Sequence, residues 1–384
     1  MKVAYVTTYN AKDIRKWSGV GYYIARSLEN QSLLLEYIGS LKEKYSLPLK
    51  AKQYLTDALS EKLPIKRYLR EREPLIVKNY AYQVSKKISE IKPDLVFSPG
   101  TIPIAYLECK QPIVIWTDCT FSGMIDFYPE FTNLTQKTIR DGNALESSAL
   151  KRCKLIIYSS EWAAKTAVDS YQIETSKIRI VPLGANIECN RNIDDIREII
   201  DSRDSKKCNL LFLGVSWYRK GGDIAFEVVK ELNRIGLDAQ LTVVGCLPEV
   251  NEPLPNFVKP IGFISKTTKE GQEKINKFLA ESHFLILPTI ADCNPVVFCE
   301  ANSFGVPCLS TNVGGIPTVI KDDVNGKTFL KDAIISEYCT YMSNLFSNYS
   351  QYKNLALSSF NEYQSRLNWT VAGKTVKKLL MELM

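Results

Sequence analysis

Residues 284–311 read FLILPTIADCNPVVFCEANSFGVPCLST. An apolar run ends at Pro288, a loop carries Asp292, an apolar helix-length stretch carries Glu300, and a second β-rich run closes at Thr311. This strand–loop–helix–strand passage is the building unit of a parallel sheet covered on its faces by helices. Asn294-Pro295 predicts a helix N-cap followed by proline at the first helical position. Asp292 then lies just outside the helix and Glu300 about a turn and a half inside it. The helix N-terminus between the two acids offers unpaired N–H groups and a partial positive charge to an anion.

The same alternation extends in both directions. Strands are expected at 2–8, 34–39, 94–98, 113–117, 155–160 and 178–183, and again at 209–214, 240–245, 257–263, 284–288 and 307–311. Helical stretches fall between most of them, so the fold class is α/β. The apolar register weakens over ANIECNRNIDDIREIIDSRDSKK (185–207), which reads as a domain boundary. The expected organisation is an N-terminal Rossmann-like domain over 1–187, a linker over 188–206 and a C-terminal Rossmann-like domain over 207–366. A closing helix over 367–384 packs back toward the N-terminal domain. Two doubly wound domains facing a central cleft is the economical architecture, with ligands outside the carboxyl ends of the strands.

A helical insertion is expected at about 41–91. Residues 42–72 carry nine Lys/Arg against four Asp/Glu, with Tyr54, Leu55, Ala58, Leu59 and Leu63 at helical spacing and prolines at 48, 64 and 74 breaking it into short pieces. Such an insertion either packs as an amphipathic layer on the N-terminal domain or touches an anionic membrane surface.

With 384 residues, 45% hydrophobic and 24% charged, the chain suits two soluble globular domains. Its net charge of +7 is compatible with a phosphate-bearing ligand and points to no nucleic-acid partner. KVAYVTTYN reads as a first strand rather than a signal peptide, and no run of 18 apolar residues exists, so a cytoplasmic protein is expected, with peripheral contact at an inner membrane face left open. Ten scattered cysteines without a CxxC pair read as reduced thiols. The single histidine, His283, opens the apolar run HFLILP and is expected to pack against the sheet. One histidine makes neither a His-rich metal site nor a hydrolytic triad economical.

Several loops carry candidate chemistry. Gly19 and Gly21 in KWSGVGYY precede a helix but lie too far from the strand for a dinucleotide fingerprint. Asp118 ends the strand IVIWT and reads equally as a hydroxyl acceptor, a base or a loop cap. Arg219-Lys220 follows NLLFLG and precedes Gly221-Gly222 and a helix, where a pyrophosphate can sit. Gly314-Gly315 adds a flexible turn after PCLST.

In order, SGVGYY, SSEWA, VPLGAN, GVSWYRKGG, VVGC, PTIADCNPVVFCEANSFGVP and STNVGGIP make the chain resemble a GT-B-fold glycosyltransferase of the large retaining family 4. The resemblance covers about 1–40 and 94–330 and is most specific in the C-terminal half. It implies that Lys220 binds the donor diphosphate, Glu300 holds the ribose and Asp292 contacts the transferred sugar. Backbone at Cys293, Asn294, Val296 and Val297 would meet sugar and phosphate. Gly19 and the strand-end Gly214 would border the donor, and backbone in loops such as those near Gly245-Cys246 and Phe263-Ile264 would meet the base. The implied catalytic set is Asp118, Arg219, Lys220 and Asp292. Four positions depart from the pattern: Asp292 replaces the usual Glu, Val215 an arginine whose charge Arg219 supplies, Thr117 a histidine, and Pro295 a glycine.

The expected function is therefore retaining, metal-independent transfer of a sugar from a nucleoside-diphosphate sugar to a hydroxyl on a glycan or lipid-linked acceptor. No cofactor is expected. A nucleotide-sugar epimerase, a phosphorolytic enzyme and a non-catalytic nucleotide-sugar or glycan binding protein stay open as alternatives.

Overall fold

The structure is a computed structural model that describes residues 1–44, 46–60 and 65–383. Among these, the chain divides into two compact units, Met1–Val181 with Ala372–Met384, and Pro182–Val371.

The first unit holds β1 (Lys2–Val6), β2 (Leu34–Ile38), β3 (Leu95–Ser98), β4 (Ile113–Thr117), β5 (Leu155–Tyr158) and β6 (Ile178–Ile180). They pair in parallel in the order β2-β1-β3-β4-β5-β6. β3, β4 and β5 are buried at every position, as strands covered on both faces must be.

The second unit holds β7 (Cys208–Leu213), β8 (Ala239–Val244), β9 (Val258–Gly262), β10 (Phe284–Leu287), β11 (Cys308–Thr311) and β12 (Gly326–Phe329), in the order β12-β11-β10-β7-β8-β9 and again parallel. From β7 the chain winds outward through β8 and β9, then returns to lay β10 on the other side of β7. The direction of winding thus reverses between β7 and β10. At such a switch point the helices that follow the two strands pass to opposite faces of the sheet, and a ligand crevice is expected at the strands' carboxyl ends. All four β10 side chains are fully buried, each stabilising the core by about 2 kcal/mol. None of the ten cysteines forms a disulfide among the described residues.

Several expectations meet a different structure. The polar stretch 188–206, expected as a linker, is partly helical. It contains the helix Ile193–Asp201, capped by Asn192 and anchored by buried Ile196 and Ile200, and it belongs to the second unit. β12 has no counterpart among the expected strands. In the insertion, Ser46–Ser60 forms one helix with Pro48 in its first turn, where a proline is tolerated, and Pro74 opens the helix Pro74–Ile91. Leu63 and Pro64 lie outside the described residues. The apolar stripe of Ser46–Ser60 does not pack inward: Leu47, Tyr54, Leu55 and Leu59 are all exposed, Tyr54 by 74%. The closing helix Trp369–Met381 buries Val376 and Leu380, and its Gly373 lies against the Ser27 backbone.

Candidate functional site

Two loops meet at the switch point of the second sheet. The first leaves β7 at Gly214 and reaches the helix Gly222–Arg234; the second leaves β10 at Pro288 and reaches the helix Val296–Asn302. Gly221 caps the first helix in the left-handed region, at φ 75°, and a Cβ there would run into the Pro288 carbonyl. Only glycine lets the loops approach this closely. The Arg219 carbonyl accepts from Ile290 N at 3.0 Å and from Thr289 Oγ1 at 2.6 Å, which stitches the loops together. Ser310 Oγ donates to the Leu287 carbonyl at 2.6 Å and fixes β11 beside β10.

This stitching brings the expected charges together. The buried Lys220 ammonium donates to Asp292 Oδ2, and Arg219 Nη1 stands 3.7 Å from the same oxygen. Arg219 Nη1 also donates to the Ala291 carbonyl at 2.9 Å. Gly214 packs beside the aliphatic stem of Lys220, and Gly315 N donates to the Asp292 carbonyl at 3.1 Å. Two cations and one carboxylate thus share a largely water-excluded corner, where charge interactions are stronger than at the surface.

The cap expected at Asn294 is different. The helix Val296–Asn302 takes Pro295 as its N-cap, and the Asn294 side chain caps nothing. Asn294 is buried, and neither its Oδ1 nor its Nδ2 has a hydrogen-bond partner among the described residues. An amide left idle in this way costs about 1–3 kcal/mol for each unpaired group, so it calls for a partner from outside the chain. Of the neighbouring residues, Cys293 and Val297 are buried and Val296 is half-buried.

Glu300 is fully buried. Its Oε2 accepts from the Lys266 ammonium, and its Oε1 has no partner among the described residues. Lys266 follows β9 in the loop of half-buried Ile264, and sequence reasoning did not single it out. Nothing distinguishes it from the nearby Lys259, Lys269 and Lys274 except the carboxylate it meets after folding.

In the first unit, Gly19 sits at φ 84° before the helix Val20–Glu29, after two left-handed residues, Trp17 and Ser18. Tyr5 Oη donates to the Gly21 carbonyl at 2.6 Å, and a Cβ on Gly21 would strike the Tyr9 hydroxyl. Burial, with the Asp118 charge adding to it, pushes the Tyr9 phenol up to about 12. The glycine loop, Tyr9 and Asp118 therefore share one neighbourhood. Cys119 Sγ donates to Asp118 Oδ1 at 3.3 Å. His283 packs into the second core, as expected. Asn209 N donates to its Nδ1 at 3.0 Å, and burial with Arg203 nearby lowers its pKa to about 3.

Residues 207–348 match the family described as Glycosyl transferases group 1, which bears out the resemblance read from the sequence motifs. A UDP-Gal:alpha-D-GlcNAc-diphosphoundecaprenol alpha-1,3-galactosyltransferase of Escherichia coli is 23% identical over 206 residues, 48% of this chain and 53% of the relative. An N-acetyl-alpha-D-glucosaminyl L-malate synthase of Bacillus anthracis is 30% identical over 139 residues, 35% of each. The chain spans about half the length of the first curated relatives it matches. In structure, Anabaena HepE in complex with UDP-glucose superposes with a TM-score of 0.61 over the full length of both chains at 14% identity. The fold is GT-B, as expected.

Proposed function

We propose that the chain is a retaining glycosyltransferase of family 4 that moves a hexosyl group from a nucleoside-diphosphate sugar to a hydroxyl acceptor without a metal ion. The observation that carries this reading is the meeting of Arg219, Lys220 and Asp292 where the winding of the second sheet reverses. Transfer breaks the bond between the anomeric carbon and the diphosphate oxygen, and negative charge gathers on that oxygen as it leaves. Arg219 and Lys220, fixed in advance in a buried corner, stabilise that charge without reorganising. The N-terminus of the helix Gly222–Arg234, directly after Lys220, adds its dipole. Fixed positive charge of this kind is what a divalent ion would otherwise supply.

Asp292 and the idle amide of Asn294 would hold the sugar hydroxyls, Glu300 the ribose, and the loop around Ile264 the base. Cys293, Val296 and Val297 would line the donor with backbone. Gly214 would let the Lys220 loop lie close, and Gly19 would let the first loop approach the donor phosphate. In the first unit, Asp118 would accept a hydrogen bond from a substrate hydroxyl. Retention of configuration rests on the family resemblance.

The acceptor is a glycan or a lipid-linked saccharide, the class named in the E. coli relative. No described helix is long and apolar enough to cross a membrane. The exposed Leu47, Tyr54, Leu55 and Leu59, on a helix with exposed Lys50 and Lys52, support peripheral contact with an anionic membrane from the cytoplasmic side. Less sedimentation with phosphatidylglycerol vesicles after Leu55→Ser/Leu59→Ser would support that contact, and unchanged sedimentation would end it.

Thermal unfolding with UDP, GDP and ADP, each with and without Mg²⁺, tests the donor site. At about 100 times its Kd, the right diphosphate stabilises by about 2.7 kcal/mol. Stabilisation without metal that Lys220→Ala abolishes is the expected result, followed by transfer from the matching nucleotide sugar to an added acceptor. Equal stabilisation of wild type and Lys220→Ala would overturn the site, and dependence on Mg²⁺ would overturn metal independence.

A further inference from the structure

We infer that Lys266 is a positioning residue for ribose recognition: its ammonium holds one oxygen of Glu300 so that the other is presented to a ribose hydroxyl. The inference rests on the donor-site reading above. A carboxylate as deeply buried as Glu300 is costly to leave uncompensated, and Lys266 supplies the one cation paired with it among the described residues. The pairing uses Oε2 alone. Oε1 is equally buried and accepts nothing among the described residues, although an ionised carboxylate oxygen is among the strongest acceptors a protein offers.

Glu300 could have been paired by a residue of its own helix or of a neighbouring strand. Its cation comes instead from a loop 34 positions earlier in the chain. That loop has its own anchors: Gln272 Nε2 donates to the Lys266 carbonyl at 2.8 Å, and a Cβ on Gly271 would strike the Ser265 carbonyl. Its backbone is thus set independently of Glu300. The lysine side chain is about one-third exposed and Glu300 is wholly buried, so the ammonium approaches the carboxylate from the solvent side. A hydroxyl donor is the natural complement to Oε1. Lys266 already balances the carboxylate's charge, and an anion would be repelled.

Calorimetric titration of the full chain tests this. UDP, GDP and ADP are compared first. The one that binds most tightly is then compared with its 2′,3′-dideoxy analogue on the wild type, Lys266→Met, Lys266→Arg and Glu300→Gln. Hydrogen bonds to a charged acceptor predict that the wild type favours the ribose form by about thirtyfold. Lys266→Met is expected to shrink that preference to about threefold by weakening the ribonucleotide while leaving the dideoxy affinity unchanged. Lys266→Arg should keep most of the preference, and Glu300→Gln should lose it. A Lys266→Met variant that weakens both nucleotides alike makes Lys266 a loop support and overturns the inference. So does a wild type that binds a diphosphate without regard to its ribose hydroxyls, although the donor site then stands. If the wild type binds none of the three diphosphates, the donor reading falls and this inference falls with it.

Discussion

Lys220 and Asp292 stand 72 positions apart in the chain, yet they form a buried ion pair, with the Arg219 guanidinium 3.7 Å from the same carboxylate oxygen. The pair has two consequences for a diphosphate. Asp292 holds the ammonium in place, and it also competes for it. Asp292→Asn removes the competing negative charge at little change in volume. Free nucleoside diphosphate is then expected to bind about fivefold more tightly, close to 1 kcal/mol. If Asp292 holds the transferred sugar as proposed, turnover should fall at least tenfold. Calorimetry and steady-state rates read the two effects separately. Weaker diphosphate binding in the variant would show that Asp292 only orders the lysine.

Asn294 gives the converse test. Its buried amide is an expense to the fold with no partner among the described residues. Asn294→Leu removes the idle polar groups at similar size, so stability should rise by about 1 kcal/mol, or about 2–4 °C in Tm. If the amide reads sugar hydroxyls, kcat/KM for the nucleotide sugar should drop by at least about tenfold while the Kd for the free diphosphate stays unchanged. A variant that is both less stable and fully active would assign Asn294 to packing alone.

The strands that flank this site were legible because each is a short, continuous apolar run. FLIL and CNLLFL have no other soluble reading once they are bounded by turns and followed by helical stretches. β12, GKTF, was not legible. It lies at the edge of the sheet, starts on a glycine at φ 155° and keeps Lys327 and Thr328 half-buried, so it has no apolar signature. The stretch 188–206 misled for a different reason: Ile193, Ile196, Ile199 and Ile200 recur at helical spacing and pack on the second core, but the charges around them give the stretch the composition of a linker.

At the site, Lys220, Asp292 and Glu300 could be found because charged residues in strand-end loops and buried helices need a reason. The pairing of Lys266 with Glu300 could not, since its partner is chosen by tertiary folding. The cap expected at Asn294 failed at Pro295, whose ψ of 94° keeps it outside the helix. That shift frees the Asn294 side chain.

Gly221 offers a test of the loop geometry. Its φ of 75° and the Pro288 carbonyl in the path of any Cβ make Gly221→Ala strained on two counts. The expected loss is about 2 kcal/mol, with diphosphate binding lost in parallel because Lys220 is the residue immediately before it. Gly236→Ala is the control: it also has positive φ, at 93°, but a Cβ there meets open space. It should cost less and leave binding intact. Equal effects of the two substitutions would mean that backbone strain alone, rather than the meeting of the loops, explains the glycine.

His283 predicts a pH dependence of stability. Its Nδ1 accepts from Asn209 N, so Nε2 carries the proton toward the Tyr349 hydroxyl at 3.1 Å, and the ring is held neutral. Burial, with the Arg203 charge, lowers its pKa from 6.5 to about 3. Below pH 6.5 the unfolded chain takes up a proton that the folded chain refuses. The stabilisation is therefore complete above pH 6.5 and declines as the pH falls toward 3. At pH 5 the loss from this one residue is about 2 kcal/mol. His283→Gln should be less stable than the wild type at pH 7.5, through imperfect packing against Phe346 and Tyr352. Between pH 7.5 and 5 it should lose about 2 kcal/mol less than the wild type, measured by denaturant unfolding at each pH. Parallel pH profiles for the two proteins would show that the histidine is charged inside the fold.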